Sequence, residues 1–188
     1  MTGLDPDADD IIEIFCLVTD GNLQLLDDEG FGVVVHQPQE RMDKMDAWCT
    51  RVHGASGLTA AVVASRVTPQ QAADGLLTYI QRFVPQPGIA LLAGNSVHAD
   101  KAFLRRGPYA KVDRHLHYRI LDVSSIKEAA KRWAPQTLAR TPRKEGLHQA
   151  KADILESLAE ARYYRDVLFA PALARGSGDG PERPPGGG

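Results

Sequence analysis

The chain has 188 residues and a formal net charge of −2, and charged residues make up 24% of its composition. That length is sufficient for one domain with a buried apolar core. A protein that neutralises many phosphates at once carries a basic stripe. Near neutrality therefore argues against binding to long duplex nucleic acid and is compatible with a short substrate.

Membrane and redox features are sparse. No run reaches the ~20 apolar residues that a membrane-spanning helix needs, so we expect no membrane association. The first seven residues lack the basic and apolar regions of a signal peptide, which makes the cytoplasm the expected location.

Cys16 and Cys49 lie in apolar segments without CxxC spacing. This pattern predicts two buried, reduced thiols.

The first third of the chain predicts strands followed by a helix. Residues 11–18 and 31–35 are rich in β-branched and aromatic side chains, which favour strands. A turn signal at residues 20–22 and an apolar run at 23–26 lie between them, so we expect an antiparallel meander. Apolar residues then recur at helical spacing: Met42, Met45, Trp48, Cys49 and Val52.

The middle of the chain opens with a strong helix start. Thr68 can cap the helix, Pro69 suits its first position and Gln71 can close a capping box. This helix is expected to run to about Phe83. Residues 89–93 then form a short, continuously apolar strand, typical of a sheet covered on both faces.

Strands and helices alternate in the rest of the chain. A helix carrying Asp100 and Phe103 should follow the strand at 89–93. Next come a strand over 118–123, a helix over 125–133 and a last helix over 148–169. Strands first, then alternating strand and helix, predict an α/β domain with a mixed sheet. Residues 1–170 are expected to form this domain, and residues 171–188 a disordered Gly/Pro-rich tail.

Three residues carry possible metal chemistry. Asp100 follows a strand end, where α/β sheets commonly place their sites. His148 and Asp153 are five residues apart at a helix start, close enough to face one cleft. Two-metal phosphodiester hydrolysis needs carboxylates and a base for the attacking water, and histidine suits the base.

Each of these residues also has an ordinary structural interpretation. Asp100 can complement a helix macrodipole, and His148 can cap a helix or face solvent. Glu156 and Glu160, on the same predicted helix as Asp153, are expected to be solvated. Asp122, at a strand end, is expected to accept structural hydrogen bonds.

Longer motifs resemble one family. They are Met1-Thr-Gly-Leu-Asp-Pro, Gly94-Asn-Ser with Asp100, Tyr118-Arg-Ile-Leu-Asp-Val-Ser-Ser, and His148-x4-Asp153. In their order and spacing they closely resemble the oligoribonucleases, DEDDh exonucleases with a ribonuclease H-like fold. The resemblance covers residues 1 to about 170.

The resemblance implies a 3′-to-5′ exoribonuclease that splits short oligoribonucleotides, chiefly dinucleotides, into nucleoside 5′-monophosphates. It implies two Mg²⁺ or Mn²⁺ ions held by Asp100, Asp153 and the two carboxylates of an Asp-x-Glu motif. His148 would be the general base.

Further residues match substrate-binding positions of the family. Leu4 and Trp48 would wedge and stack the bases, with His53 contacting the substrate beside them. A cap on the substrate's 5′-phosphate would use Ser96, Arg119, Ser124 and Lys127. In the family, Tyr118 and much of this cap come from the other subunit, so the resemblance also implies a homodimer.

The chain departs from the family pattern at its start. Family members read, in effect, Asp-Leu-Glu immediately before the phrase that begins here at Met1. We expect the central strand of the sheet to be missing with these carboxylates, and the activity of this chain to suffer. The alternative function is a catalytically dead module that binds 5′-phosphorylated dinucleotides. A proofreading-type DNA exonuclease is a third possibility, which the motifs around Trp48 and Tyr118 disfavour.

Overall fold

The computed structural model describes residues 1–142 and 150–169. Its strands are β1 (Glu13–Cys16), β2 (Phe31–Val34), β3 (Leu92–Gly94) and β4 (Ile120–Asp122). Its α-helices are α1 (Gln39–Met42), α2 (Ala47–Ala55), α3 (Leu58–Ala64), α4 (Pro69–Phe83), α5 (Val97–Leu104), α6 (Ala110–His115), α7 (Val123–Trp133) and α8 (Ala150–Tyr164). The predicted α/β class is confirmed.

An antiparallel pair forms the first sheet. In the register of β1 and β2, Glu13 lies opposite Val34 and Phe15 opposite Gly32. Gly32 is needed at its position because a Cβ atom there would lie 2.8 Å from the Phe15 ring. The third predicted strand of the meander, residues 23–26, is reduced to one bridge between Thr19 and Leu25.

A parallel pair forms the second sheet. Leu92 pairs with Ile120 and Gly94 with Asp122, so the carboxyl ends of β3 and β4 lie side by side. Antiparallel and parallel pairing are thus both present, but in the described part of the chain they form two separate sheets. The prediction that residues 89–93 are covered on both faces is wrong, because Leu91 is 45% exposed and Ala93 is also exposed.

Helix α4 confirms the local signals of its sequence. The Thr68 hydroxyl accepts from the Gln71 backbone N–H, and the Gln71 side chain accepts from the Thr68 N–H. Its inner face packs into the largest core cluster, between the strands and α6, through Ala72, Ala73, Leu76, Tyr79 and Ile80. Burying apolar side chains of this kind contributes about 1.5–3 kcal/mol for each large one.

The predicted helix over residues 42–52 is divided in two. Asp46 accepts a hydrogen bond from the Cys49 backbone N–H at 2.7 Å and caps α2, so the chain turns between Met42 and Ala47. Met42 and Met45 still reach a common core cluster with Cys49. Cys16 and Cys49 are both free, as predicted, although Cys16 is only partly buried.

Helix α8 lies against both sheets, contacting β1 and β3. The Arg162 guanidinium donates to the Leu23 carbonyl oxygen at 2.6 Å, which fixes the helix to the turn region after β1. The predicted last helix included His148, which lies outside the described residues. At its far end the helix changes to π geometry over Arg165–Phe169. No helix in residues 1–142 or 150–169 is long and apolar enough to cross a membrane.

Candidate active site

The N-terminal loop, residues 1–10, meets helix α2. Leu4 on the loop is 79% exposed, and Trp48 on α2 is 51% exposed. His53, one turn further along α2, has its Nε2 atom 3.1 Å from the Met1 carbonyl oxygen. The structure therefore brings His53 against the segment that carries Leu4 and leaves two large apolar side chains accessible to a ligand.

Acidic groups surround the Met1 amino group. Asp100 lies in the first turn of α5, and Glu13 lies in β1. Burial lowers the pKa of the Met1 amine, while Cys49, Glu13, Asp100 and Asp9 oppose that shift. The charges of these acids therefore act on one place, although the elements that carry them are distant in sequence.

Two carboxyl groups in this region resist ionisation. Surrounding protein atoms desolvate the Asp100 carboxyl and raise its pKa, although the side chain keeps an accessible surface, and Asp122 adds a smaller repulsion. Burial also raises the pKa of Glu13, and the charge of Asp153 on α8 adds to the shift. Asp153 therefore lies within electrostatic reach of Glu13. Negative charge gathered in a desolvated place favours binding of a cation.

Asp122 organises the edge where β3 and β4 end. Its Oδ1 atom accepts from the Ser96 N–H at 3.0 Å and from the Ser124 N–H at 2.9 Å. The two serine hydroxyls are consequently 3.3 Å apart. Ser96 has a φ of 56°, a left-handed conformation that costs about 1–2 kcal/mol for a non-glycine residue. The prediction that Asp122 is a structural acceptor is confirmed, and its acceptor bonds bring Ser96 and Ser124 together.

Glu160 is buried, so the prediction that it is solvated is wrong. It is 1% exposed because α8 packs it under the β3–α5 turn. Its carboxylate accepts from the Asn95 side-chain amide at 3.1 Å and lies 3.2 Å from the Lys127 ammonium. The Tyr164 hydroxyl donates to it at 3.4 Å. Glu160 thereby holds the turn that precedes Ser96 and the cation of Lys127 next to each other.

Tyr118 and Arg119 lie on a neighbouring exposed surface. Tyr118 is 69% exposed, its ring stacks on His117 at 4.5 Å, and the Arg119 guanidinium lies 4.9 Å from the ring centroid. The pair borders a groove of about 500 Å³ to which His98 and Arg105 also contribute. Within the single chain no described contact joins this pair to Ser96, Ser124 or Lys127.

His148 lies in the segment 143–149, outside the described residues, directly before α8. Its role as a base stays a prediction. Within residues 1–142 and 150–169, no three His, Cys, Asp or Glu side chains lie close enough together to hold a metal ion. Glu13 has neither the spacing nor the strand context of the missing Asp-x-Glu motif, so its sequence position does not mark it as a site residue. The packing of α8 against β1 brings it within electrostatic reach of Asp153.

Comparison with known proteins identifies the family. The family model described as Exonuclease matches residues 1–161. Mitochondrial oligoribonuclease of Saccharomyces cerevisiae is 49% identical over 177 residues, which span 91% of this chain and 65% of that protein. The mouse mitochondrial oligoribonuclease is 47% identical over 90% of this chain and 70% of that protein. Oligoribonuclease of Vibrio parahaemolyticus is 43% identical over 90% of this chain and 91% of that protein.

The chain belongs to the oligoribonuclease branch of the Exonuclease family. Proteins of this branch are hydrolytic 3′-to-5′ exoribonucleases that act on short RNA, and exonucleases of this kind depend on metal ions. The family resemblance inferred from the sequence motifs is confirmed, together with the ribonuclease H-like class of fold.

Proposed function

We propose that this chain forms the site of a 3′-to-5′ exoribonuclease that degrades short oligoribonucleotides, chiefly dinucleotides, to nucleoside 5′-monophosphates. The observation that carries the proposal is the gathering of acidic groups next to the N-terminal loop. Asp100 on α5 and Glu13 on β1 both act on the Met1 amine, and the charge of Asp153 on α8 acts on the desolvated Glu13. The exposed Leu4 and Trp48 belong to the loop and helix that border this region.

Two divalent cations, Mg²⁺ or Mn²⁺, are the proposed cofactors. Carboxylate oxygens are the hard ligands that such ions prefer, so the acids present fit them in kind. Asp100 and Asp153 would hold the ions together with the two carboxylates of the Asp-x-Glu motif that the family resemblance implies directly before Met1. Bound cations would polarise the scissile phosphate and lower the pKa of the attacking water.

The residues of this chain then have separate tasks. His148 is the proposed general base that accepts the proton of the attacking water. Leu4 and Trp48 hold the two bases by apolar and stacking contact, which tolerates any base sequence. His53 braces the same loop through its contact with Met1 and contacts the substrate beside it.

A phosphate cap is proposed at the carboxyl ends of β3 and β4. The hydroxyls of Ser96 and Ser124 and the ammonium of Lys127 are donors suited to a terminal phosphate dianion. Glu160 forms an ion pair with the Lys127 ammonium, and Asp122 accepts hydrogen bonds from the backbone N–H groups of Ser96 and Ser124. A closed cap at this point excludes longer chains by collision, which explains a preference for dinucleotides.

We propose a homodimer in which Tyr118 and Arg119 serve the partner's substrate. The observation that supports it is that Tyr118 is 69% exposed, with the exposed Arg119 stacked on its ring, so both are accessible to a second chain. Light scattering coupled to size exclusion tests the dimer directly.

The cytoplasm is the proposed location, although the yeast and mouse relatives are named as mitochondrial. Imaging of a tagged protein distinguishes the two locations.

The alternative is a module that binds 5′-phosphorylated dinucleotides without cutting them. The exposed Leu4 and Trp48 and the paired hydroxyls of Ser96 and Ser124 could hold such a dinucleotide whether or not cleavage follows. The decisive assay measures mononucleotide release from a 5′-phosphorylated RNA dinucleotide in Mn²⁺. It compares this chain with a version that carries Asp-Leu-Glu and its preceding strand upstream of Met1, and includes a DNA dinucleotide.

Variants make the assay specific. Asp100→Asn and Asp153→Asn should each abolish release in whichever version is active. Asp74→Asn, at an exposed carboxylate on α4 that pairs with Lys111, should leave it unchanged. Binding without release in both versions would support the binding module. Equal cleavage of the DNA dinucleotide would contradict the proposed preference for RNA.

A further inference from the structure

The N-terminal loop is a closed, self-bonded unit. The Thr2 backbone N–H donates to the Asp10 carbonyl oxygen at 2.9 Å, and the Thr2 hydroxyl donates to Asp9 at 2.9 Å. The Asp9 carboxylate in turn accepts from the Asp5 N–H at 3.0 Å. A side chain at Gly3 would collide with the Asp9 carboxylate, so glycine is needed there. These bonds fix the shape of the loop but do not attach it to the rest of the protein.

Arg41 attaches the loop to helix α1. Its Nε atom donates to Asp10 at 2.5 Å, and its terminal nitrogen lies 2.6 Å from the Thr2 hydroxyl, 2.7 Å from the Ala8 carbonyl oxygen and 3.0 Å from Asp9. The side chain is 18% exposed and Thr2 is 1% exposed. A planar guanidinium can serve several acceptors at once, which an ammonium cannot do with the same geometry.

The attachment determines where Leu4 lies relative to Trp48. Leu4 is 79% exposed, so packing of its own side chain does not position it; the backbone of the loop does. Arg41 comes from α1, six residues before the start of α2, which carries Trp48. The second attachment, from His53 to the Met1 carbonyl oxygen, comes from α2 itself. Arg41 and His53 thus hold the loop on the side that carries Trp48, while an ion pair between Asp7 and Arg106 ties its exposed part to the segment after α5.

We infer that Arg41 is a positioning residue for substrate binding: through the Thr2–Asp9–Asp10 cluster it holds Leu4 at the distance from Trp48 that two stacked bases require. This inference rests on the proposed base-contacting role of Leu4 and Trp48. Arg41 itself touches no substrate. Without it the loop keeps its shape but samples several orientations, and each binding event must select the correct one at a cost in affinity.

The test is a double-mutant cycle on the full chain. The variants are Arg41→Leu, Leu4→Ala and the pair combined, with Arg66→Leu as a matched change at an exposed arginine. The measurement is the Kd of a 5′-phosphorylated diadenosine RNA dinucleotide with Ca²⁺ in place of Mg²⁺ to hold back hydrolysis. Thermal midpoints are recorded for every variant.

We expect Arg41→Leu to raise Kd about tenfold, equivalent to about 1.4 kcal/mol, and Arg66→Leu to leave it unchanged. In the Leu4→Ala background, Arg41→Leu should change Kd less than about twofold, because the contact it positions is already gone. If Arg41→Leu does not fold, Arg41→Lys carries the same cycle, with a smaller increase in Kd expected.

Two results would overturn the inference in distinguishable ways. In the first result, Leu4→Ala weakens binding and Arg41→Leu raises Kd as much in the Leu4→Ala background as in the wild type. Arg41 then acts on stability alone, so its positioning role is refuted while the base contact of Leu4 stands. If Leu4→Ala leaves Kd unchanged, the base-contacting role of Leu4 in the proposed function fails, and the positioning role fails with it.

Discussion

Asp122 offers a prediction in which stability and ligand recognition can be separated. Its Oδ1 atom accepts two backbone hydrogen bonds, one from Ser124 that caps α7 and one from Ser96 in its left-handed conformation. Removing an N-terminal aspartate cap costs about 1 kcal/mol. The second bond adds about 1 kcal/mol, because Ser96 is exposed and its N–H can turn to water.

Asp122→Ala should therefore lower the free energy of unfolding by about 2 kcal/mol. In a domain of this size, a change of 1 kcal/mol shifts Tm by about 2–4 °C, so the expected decrease is about 4–8 °C. Asp122→Asn is the matched control: its amide oxygen can accept the same two bonds, and asparagine caps helices as well as aspartate does. Its Tm should stay within about 2 °C of the wild type.

The functional half of the prediction uses two ligands. Asp122 brings the Ser96 and Ser124 hydroxyls within 3.3 Å of each other, which is the geometry of the proposed phosphate cap. Asp122→Ala should weaken binding of the 5′-phosphorylated dinucleotide and leave the affinity for the 5′-hydroxyl dinucleotide nearly unchanged. The phosphate-cap role would be refuted if Asp122→Ala lost affinity equally for the two dinucleotides. The stability argument would be refuted if Asp122→Ala lowered Tm no more than Asp122→Asn does.

Three further predictions concern charge and packing. The pKa values of Asp100 and Glu13 are raised from their ordinary values of 3.8 and 4.5. Below those ordinary values both carboxyls contribute fully to the stability of the folded protein, and this contribution is lost as pH rises through the folded-state pKa. In EDTA, Asp100→Asn should thus raise the urea midpoint at pH 7.5 but hardly at pH 3. Mn²⁺ should stabilise only the wild type, and equal effects of the substitution at both pH values would contradict the assignment. The pKa of Asp9 is shifted the other way: burial raises it, but hydrogen bonds from Asp5, Arg41 and Thr2 outweigh burial and lower it. The contribution of Asp9 to the free energy of unfolding should therefore disappear as pH falls below 3.8. Acid unfolding of Asp9→Asn should lack this contribution. Met42 is 1% exposed, so Met42→Ala should lower the free energy of unfolding, measured in urea, by about 2–5 kcal/mol. A decrease below about 1 kcal/mol would show that the core cluster of Met42, Met45 and Cys49 collapses around the cavity.

The ends of several elements could be predicted because their signals are local. The capping box of Thr68 and Gln71 joins residues only three apart in sequence, and it gives the start of α4 correctly. The apolar spacing from Met42 to Val52 predicted one helix, whereas the structure has two. The competing local signal was Asp46, whose side chain caps α2 and ends the continuity.

Burial was harder to predict than element type. Residues 89–93 are apolar throughout, yet Leu91, which lies just before β3, is 45% exposed. Glu160 is a charged helix residue, for which a solvated position is the ordinary expectation. It is buried because Asn95, Lys127 and Tyr164, from three other points in the chain, all contribute partners to its carboxylate.

The sequence by itself determined the family of this protein, since the order and spacing of the motifs around Asp100, Tyr118 and Asp153 are legible without coordinates, and the comparisons confirm it. It also determined the class of fold, because hydrophobic periodicity and helix caps act within a few residues of each other. Only the tertiary structure decided which groups support the site. The pairs Glu13 and Asp153, Arg41 and Thr2, and Lys127 and Glu160 are each separated by 30 residues or more in sequence. Their contacts depend on how α1, α7 and α8 pack, and no pattern in a linear sequence encodes those distances.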